Sequence, residues 1–207
     1  IGFGWQQALF AVACLALAIV PMAFGLREPR FTPAPGGIHQ SIGAAVREAF
    51  AYPSFLLLMA GYFVCGFQLV FIGVHMPSYL KDHRLDADVA TTALMLIGLF
   101  NVFGTYVAGS LGERMPKRYI LSAIYALRSL ATVIFLLTPL SPWSVYVFSA
   151  VMGFLWLSTV PPTNAVVAQI FGVQYLSMLS GFVFLSHQVG SFIGVWMGGW
   201  LYDTTGN

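Results

Sequence analysis

Three ionisable side chains stand inside long apolar runs of this sequence: His75, Arg128 and His187. Gln68, Asn101, Thr105, Thr163, Asn164 and Gln188 accompany them as uncharged polar residues. An ionisable group in such a run is costly and calls for a function or a partner. A guanidinium stays charged and needs acceptors or an anion. An imidazole can exchange a proton near neutral pH. The set therefore suits anion recognition and proton exchange better than bond-making chemistry. No Asp or Glu lies deep in these runs, and no His-Glu-x-x-His motif occurs. An intramembrane enzyme would need an acid pair, a nucleophile with its base, or metal ligands. Cys14 and Cys65 both lie in apolar stretches and read as small packing residues, so neither a disulfide framework nor a metal site is expected.

The elements that must hold these residues are membrane helices. Only 8% of the 207 residues are charged and 58% are hydrophobic, whereas a soluble domain carries about a quarter charged residues. The net charge of +2 has no clustered basic face, so no nucleic-acid partner is expected. Six stretches have the length and apolarity of a span: Trp5–Phe24, Phe55–Tyr79, Ala90–Leu111, Tyr119–Leu140, Trp143–Phe171 and Tyr175–Tyr202. Pro161-Pro162 should kink the fifth. Gly190, Gly194 and Gly198 in the sixth should let a neighbouring helix approach closely. Alternate loops carry Arg27, Arg30, Arg47, Arg114, Lys117 and Arg118 on one side, and only Lys81 and Arg84 among Asp82, Asp86 and Asp88 on the other. The positive-inside rule assigns the first set to the cytoplasm. The long loop Leu26–Pro53 begins as a Pro- and Gly-rich linker. It continues as a short amphipathic helix with Ile38, Ile42, Val46 and Phe50 on one stripe, expected to lie on the lipid surface.

Helical rise then sets depth. From the cytoplasmic end, Gln68 lies roughly 20 Å deep, Asn101 and Arg128 roughly 15 Å, His187 roughly 18 Å and Thr163 roughly 12 Å. The hydrocarbon midplane is about 15 Å deep. Five helices thus each contribute a polar residue to one layer, where secondary carriers bind substrate. Interhelical hydrogen bonding explains any one of them equally well. Gln188, Phe71 and Trp156 are further candidates for lining a cavity. His75, roughly 30 Å deep, belongs to the outer mouth. It is too far from His187 for both to ligate one haem iron, which argues against a haem-binding electron carrier.

At the inner end of the third span the sequence reads Gly109-Ser110-Leu111-Gly112-Glu113-Arg114-Met115-Pro116-Lys117-Arg118. This resembles the signature loop of the major facilitator superfamily, Gly-x-Leu-x-Asp-Arg-x-Gly-Arg-Lys, with Glu113 in place of Asp and Pro116 in place of Gly. In that family the loop joins the second and third helices of each six-helix half. The resemblance implies an all-α membrane fold. Residues 1–26 would be the last span of a first half, 27–53 the central cytoplasmic loop, and 54–207 five spans of the second half. The rest of the first half would precede Ile1, and a twelfth span would follow Asn207. Gly109, Glu113, Arg114, Lys117 and Arg118 would form gating contacts. The segments Gly66-Phe67-Gln68, Phe71–Pro77 and Gly198–Gly206 resemble bacterial carriers of the monocarboxylate and oxalate branch. Mammalian monocarboxylate carriers place an Asp and an Arg where Asn101 and Thr105 stand here, so the substrate does not follow from those two positions. That family also places the fourth span at the periphery of its half, which favours a structural role for Arg128 over substrate contact.

The expectation is a multi-pass protein of the inner (plasma) membrane. It is an alternating-access secondary transporter of a small solute, most simply a small organic anion such as a monocarboxylate. Metabolite or drug efflux within the same superfamily is the alternative, and a channel or receptor is a more remote one. No enzyme activity, prosthetic cofactor or metal is implied. The partners are a small-molecule substrate, a coupling proton and the lipid bilayer. Substrate contact is assigned to Gln68, Asn101, Arg128, His187, Gln188, Phe71, Trp156 and Thr163.

Overall fold

The computed structural model describes residues 41–206 and, before them, helical backbone at Gln7, Phe10, Ala13, Cys14, Ala16 and Leu17. Apart from those six positions, the first span and the linker that follows it lie outside the described residues. Residues 40–207 form one compact unit. Its helices are α1 (Ile42–Ala51), α2 (Pro53–Asp82), α3 (Ala87–Arg114), α4 (Lys117–Leu137), α5 (Pro142–Leu155), α6 (Val160–Phe171) and α7 (Leu176–Thr205).

Local chemistry explains the boundaries. Pro53 and Pro142 each open a helix at a position whose N–H would be unpaired anyway. Ser141 and Ser144 close a reciprocal capping box: the Ser144 amide donates to Ser141 Oγ at 3.2 Å and the Ser141 amide to Ser144 Oγ at 2.9 Å. Pro116 forces Met115 into an extended conformation (φ −126°, ψ 152°), which ends α3 and makes the signature loop a two-residue turn into α4. Gly172, at φ +73°, turns the chain from α6 to α7 in a conformation that favours glycine.

Among the described residues, five segments are long and apolar enough to cross a membrane: α2, α3, α4, α5 with α6 taken together, and α7. They coincide with the second to sixth predicted spans to within a few residues. Their outward faces carry large apolar side chains, such as Leu137, Trp143 and Tyr106, each at least three-quarters exposed. Lipid would solvate such a surface.

In α1 the stripe is divided. Ala45 and Ala49 are buried against the bundle, while Ile42 is exposed. Phe50 sets its ring edge-on to Phe55 and Phe182. Small side chains dock the helix, and the larger ones stay at the surface, where the bilayer interface would take them.

Within the bundle α2 packs most extensively on α7, and α3 on α5. Both contacts are backbone-close. A Cβ on Gly66 would collide with the His187 carbonyl oxygen, and one on Gly190 with that of Phe63. Gly104 meets the Phe154 carbonyl in the same way, and a Cβ on Gly153 would lie 2.6 Å from Ile97 Cα. The predicted glycine stripe of the sixth span is therefore a close seam with α2, and α3 and α5 share a second one.

Candidate functional site

The fifth span is broken rather than kinked. Regular helix stops at Leu155 and resumes at Val160. Pro161 and Pro162 have no N–H to return to the preceding turn, and their rings crowd it, so the helix opens one turn before them. The Val160 amide falls back on Leu157 O (3.0 Å), which leaves the carbonyls of Leu155 and Trp156 without their regular helical partners.

Arg128 fills that gap. It projects from α4, is fully buried, and donates from Nε to Leu155 O at 3.1 Å. Its Nη2 donates to both Leu155 O and Trp156 O, and its Nη1 to Cys65 Sγ at 3.0 Å. The Tyr125 ring lies 5.6 Å from the guanidinium carbon. Asn101, from α3, completes the repair on the other side of the break. Its Oδ1 accepts the Leu157 amide at 3.0 Å and the Thr105 hydroxyl at 3.4 Å. Two members of the predicted polar layer thus hold a discontinuous helix in register.

The other members divide. Gln68 is half-buried and donates to Thr132 Oγ1 at 3.1 Å, while the Thr132 hydroxyl donates to Arg128 O at 2.9 Å. His187 is half-buried beside the Tyr62 ring (centroids 5.9 Å apart), with Ser191 Oγ 3.4 Å from its Nδ1. Gln188 is exposed. Phe71 stacks on Phe67 at 6.2 Å and packs on His75, whose Nε2 lies 3.1 Å from Val195 O. Trp156 is half-buried at the break, with its ring 3.9 Å from the position a Cβ would take on Gly73. Thr163 is buried beneath the break, in the first turn of α6.

The inner loop reads differently. Glu113, Arg114 and Arg118 are exposed and Lys117 half-buried. Arg118 lies over the ring of its neighbour Tyr119 and donates to that hydroxyl at 3.1 Å. Gly109 faces Pro161, so the inner end of α3 lies against the restart of the broken span.

The fold and site geometry agree with a match to the Major Facilitator Superfamily family model over residues 1–206. The chain belongs to the Major Facilitator Superfamily. Its curated relatives include the uncharacterized MFS-type transporter YcxA of Bacillus subtilis, 23% identical over 98% of this chain and 51% of that protein. Monocarboxylate transporter 13 of Bos taurus is 25% identical over 99% of this chain and 48% of its own length. Monocarboxylate transporter 12-B of Danio rerio is 30% identical over 74% and 33%. The chain spans about half the length of the first two. These relatives are transporters by name, not enzymes, and membership of the superfamily makes the chain part of a multi-pass membrane protein.

Sequence reasoning missed one group of side chains. Cys65, expected only to pack, accepts from Arg128 and lies 3.8 Å from Thr159 Oγ1. Tyr62 and Thr159 join it in the core. The available signal was the Thr159–Thr163 pair, four residues apart and flanking the two prolines, one turn of helix with hydroxyls on one face.

Proposed function

We propose that the chain is part of an alternating-access carrier of a small organic anion, with a monocarboxylate as the simplest substrate, in the inner (plasma) membrane. The observation that carries this reading is a polar layer of nitrogen-rich side chains with no carboxylate at its depth. The names of two relatives, monocarboxylate transporters 13 and 12-B, support the same substrate class. Substrate contact falls to Gln68, His187 and Gln188, with Phe71 and Trp156 as apolar walls. Asn101 and Arg128 serve the layer by fixing the break that positions Trp156. His187 would carry the coupling proton. Glu113, Arg114, Lys117 and Arg118 would pair only in another state of the cycle.

The test is binding and uptake of lactate by the full-length carrier in vesicles. His187→Gln is expected to insert normally, weaken lactate binding about tenfold, equivalent to about 1.4 kcal/mol, and abolish the rise in uptake as external pH falls. Unchanged affinity with an unchanged pH profile would remove His187 from the site. Transport confined to cations or uncharged solutes would end the anion reading.

Orientation has its own test. Lys117→Cys should react with an impermeant maleimide only when the cytoplasmic face is opened, and Asp86→Cys should react in intact cells. The reverse pattern would invert the topology.

A further inference from the structure

The broken span buries a positive charge, and among the described residues no carboxylate pairs with it. Arg128 is fully buried, and no Asp or Glu lies deep in the spans around it. The helix ends at the break do not compensate. The C-terminus of α5 contributes roughly minus half a charge and the N-terminus of α6 roughly plus half. The guanidinium charge remains. A charge left so in a low-dielectric interior is strongly unfavourable.

Two polar groups beside it are unsatisfied as well. Tyr62 and Thr163 are each 1% exposed, and neither hydroxyl has a hydrogen-bond partner. The Tyr62 hydroxyl faces Thr163 and Thr159 and feels the Arg128 charge, yet no pair among these hydroxyls reaches hydrogen-bonding geometry. Thr159 leads back to Cys65 at 3.8 Å, and Cys65 to Arg128 at 3.0 Å. Arg128, Cys65, Thr159, Tyr62 and Thr163 therefore form one buried knot. It offers a cation, hydroxyl and thiol donors, and the positive end of α6, a helix of 12 residues. Buried unpaired donors around an unbalanced cation are what an anion requires.

We propose that this knot binds a small monovalent inorganic anion, with chloride as the representative, held by Tyr62 and Thr163 against Arg128. The anion would neutralise the guanidinium and lock α6 to α2 across the break. The knot shares Arg128 and Thr163 with the polar layer, and Tyr62 packs beside His187, but the inference does not rest on the organic-anion reading, because the substrate contacts proposed above, Gln68, His187 and Gln188, are not among its ligands.

The test uses the full-length carrier in nanodiscs, unfolded thermally in sodium chloride, sodium bromide or sodium gluconate at constant ionic strength. Chloride and bromide are expected to raise the unfolding temperature saturably over gluconate. Tyr62→Phe and Thr163→Val should each weaken the midpoint at least tenfold. Bromide should also give an anomalous peak within contact of both hydroxyls in crystals of the unmodified carrier, a readout that survives if a variant does not fold. Equal stability in chloride and gluconate, or a halide effect that persists in the double variant, would overturn the proposal in favour of a buried water. So would a missing bromide peak. Displacement of bromide by lactate would overturn it differently, by making the knot the substrate's own seat. Lactate binding measured in gluconate fails or succeeds independently, so the two readings can be told apart.

Discussion

Arg128→Gln is expected to lower the stability of the bundle by at least about 3 kcal/mol, the range seen when one partner of a buried charged contact is removed. Glutamine is shorter and carries one amide group, whereas the guanidinium reaches Leu155 O, Trp156 O and Cys65 Sγ at once. Even with both N–H groups of its amide engaged, a glutamine cannot also make the Nε contact to Leu155 O and the Nη1 contact to Cys65 Sγ, and each buried polar group left unpaired costs about 1–3 kcal/mol. Arg128→Lys should recover only part of the loss, because an ammonium cannot reproduce the planar fork. Thermal unfolding of purified protein in detergent measures the effect. The variant protein that survives should bind lactate more weakly only to the extent that the Trp156 wall shifts, well short of the loss expected for a direct substrate ligand. A normal unfolding temperature combined with lost affinity would instead make Arg128 a substrate ligand and leave the broken span without its support.

This outcome separates what the sequence makes legible from what it conceals. Span positions are readable because about 20 consecutive apolar residues have few other uses, and α2 to α7 follow the predicted runs closely. The depth of Arg128 and Asn101 is readable too, because helical rise is fixed. What each side chain touches is not. Whether a midplane guanidinium meets a substrate, an acid or a backbone carbonyl depends on the neighbouring helix. The decisive neighbour here is a stretch of backbone, Leu155–Trp156, that carries no label in its own residue types. Pro161-Pro162 announces a disturbance but not its size. Only the positions of Arg128 and Asn101 opposite the freed groups let the helix open fully instead of bending. Cys65 illustrates the converse: an apolar setting in sequence conceals a hydrogen-bonded one in space. For α1 the stripe was legible but its docking face was not. Alanine at positions 45 and 49 allows close approach, and that outweighs the larger hydrophobic side chains on the adjoining face.

Gly104→Ala should disrupt the same site from the opposite wall. A Cβ at residue 104 would overlap the Phe154 carbonyl oxygen, with the Phe154 carbonyl carbon and the Ser158 hydroxyl close behind (2.5 and 2.8 Å). No rotamer change relieves a clash with backbone, so α3 and α5 must separate. Overpacking of this kind costs about 1–3 kcal/mol where a core can adjust. Here the separation also pulls Asn101, one turn earlier on α3, away from the Leu157 amide it accepts at 3.0 Å. That adds the loss of one hydrogen bond at an exposed residue, about 0.5–1.5 kcal/mol, for a total of about 2–4 kcal/mol. Gly98→Ala provides the control on the same helix. A Cβ there meets nothing within 4 Å, and alanine's higher helix propensity should stabilise the helix by up to about 1 kcal/mol. Thermal unfolding of the two variants side by side reads the difference, and Asn101→Ala combined with Gly104→Ala tests the mechanism. If separation of α3 from α5 already breaks the Asn101 contact, the double variant should lose little more than Gly104→Ala alone. Fully additive losses would mean that α3 yields elsewhere and that the break keeps its support.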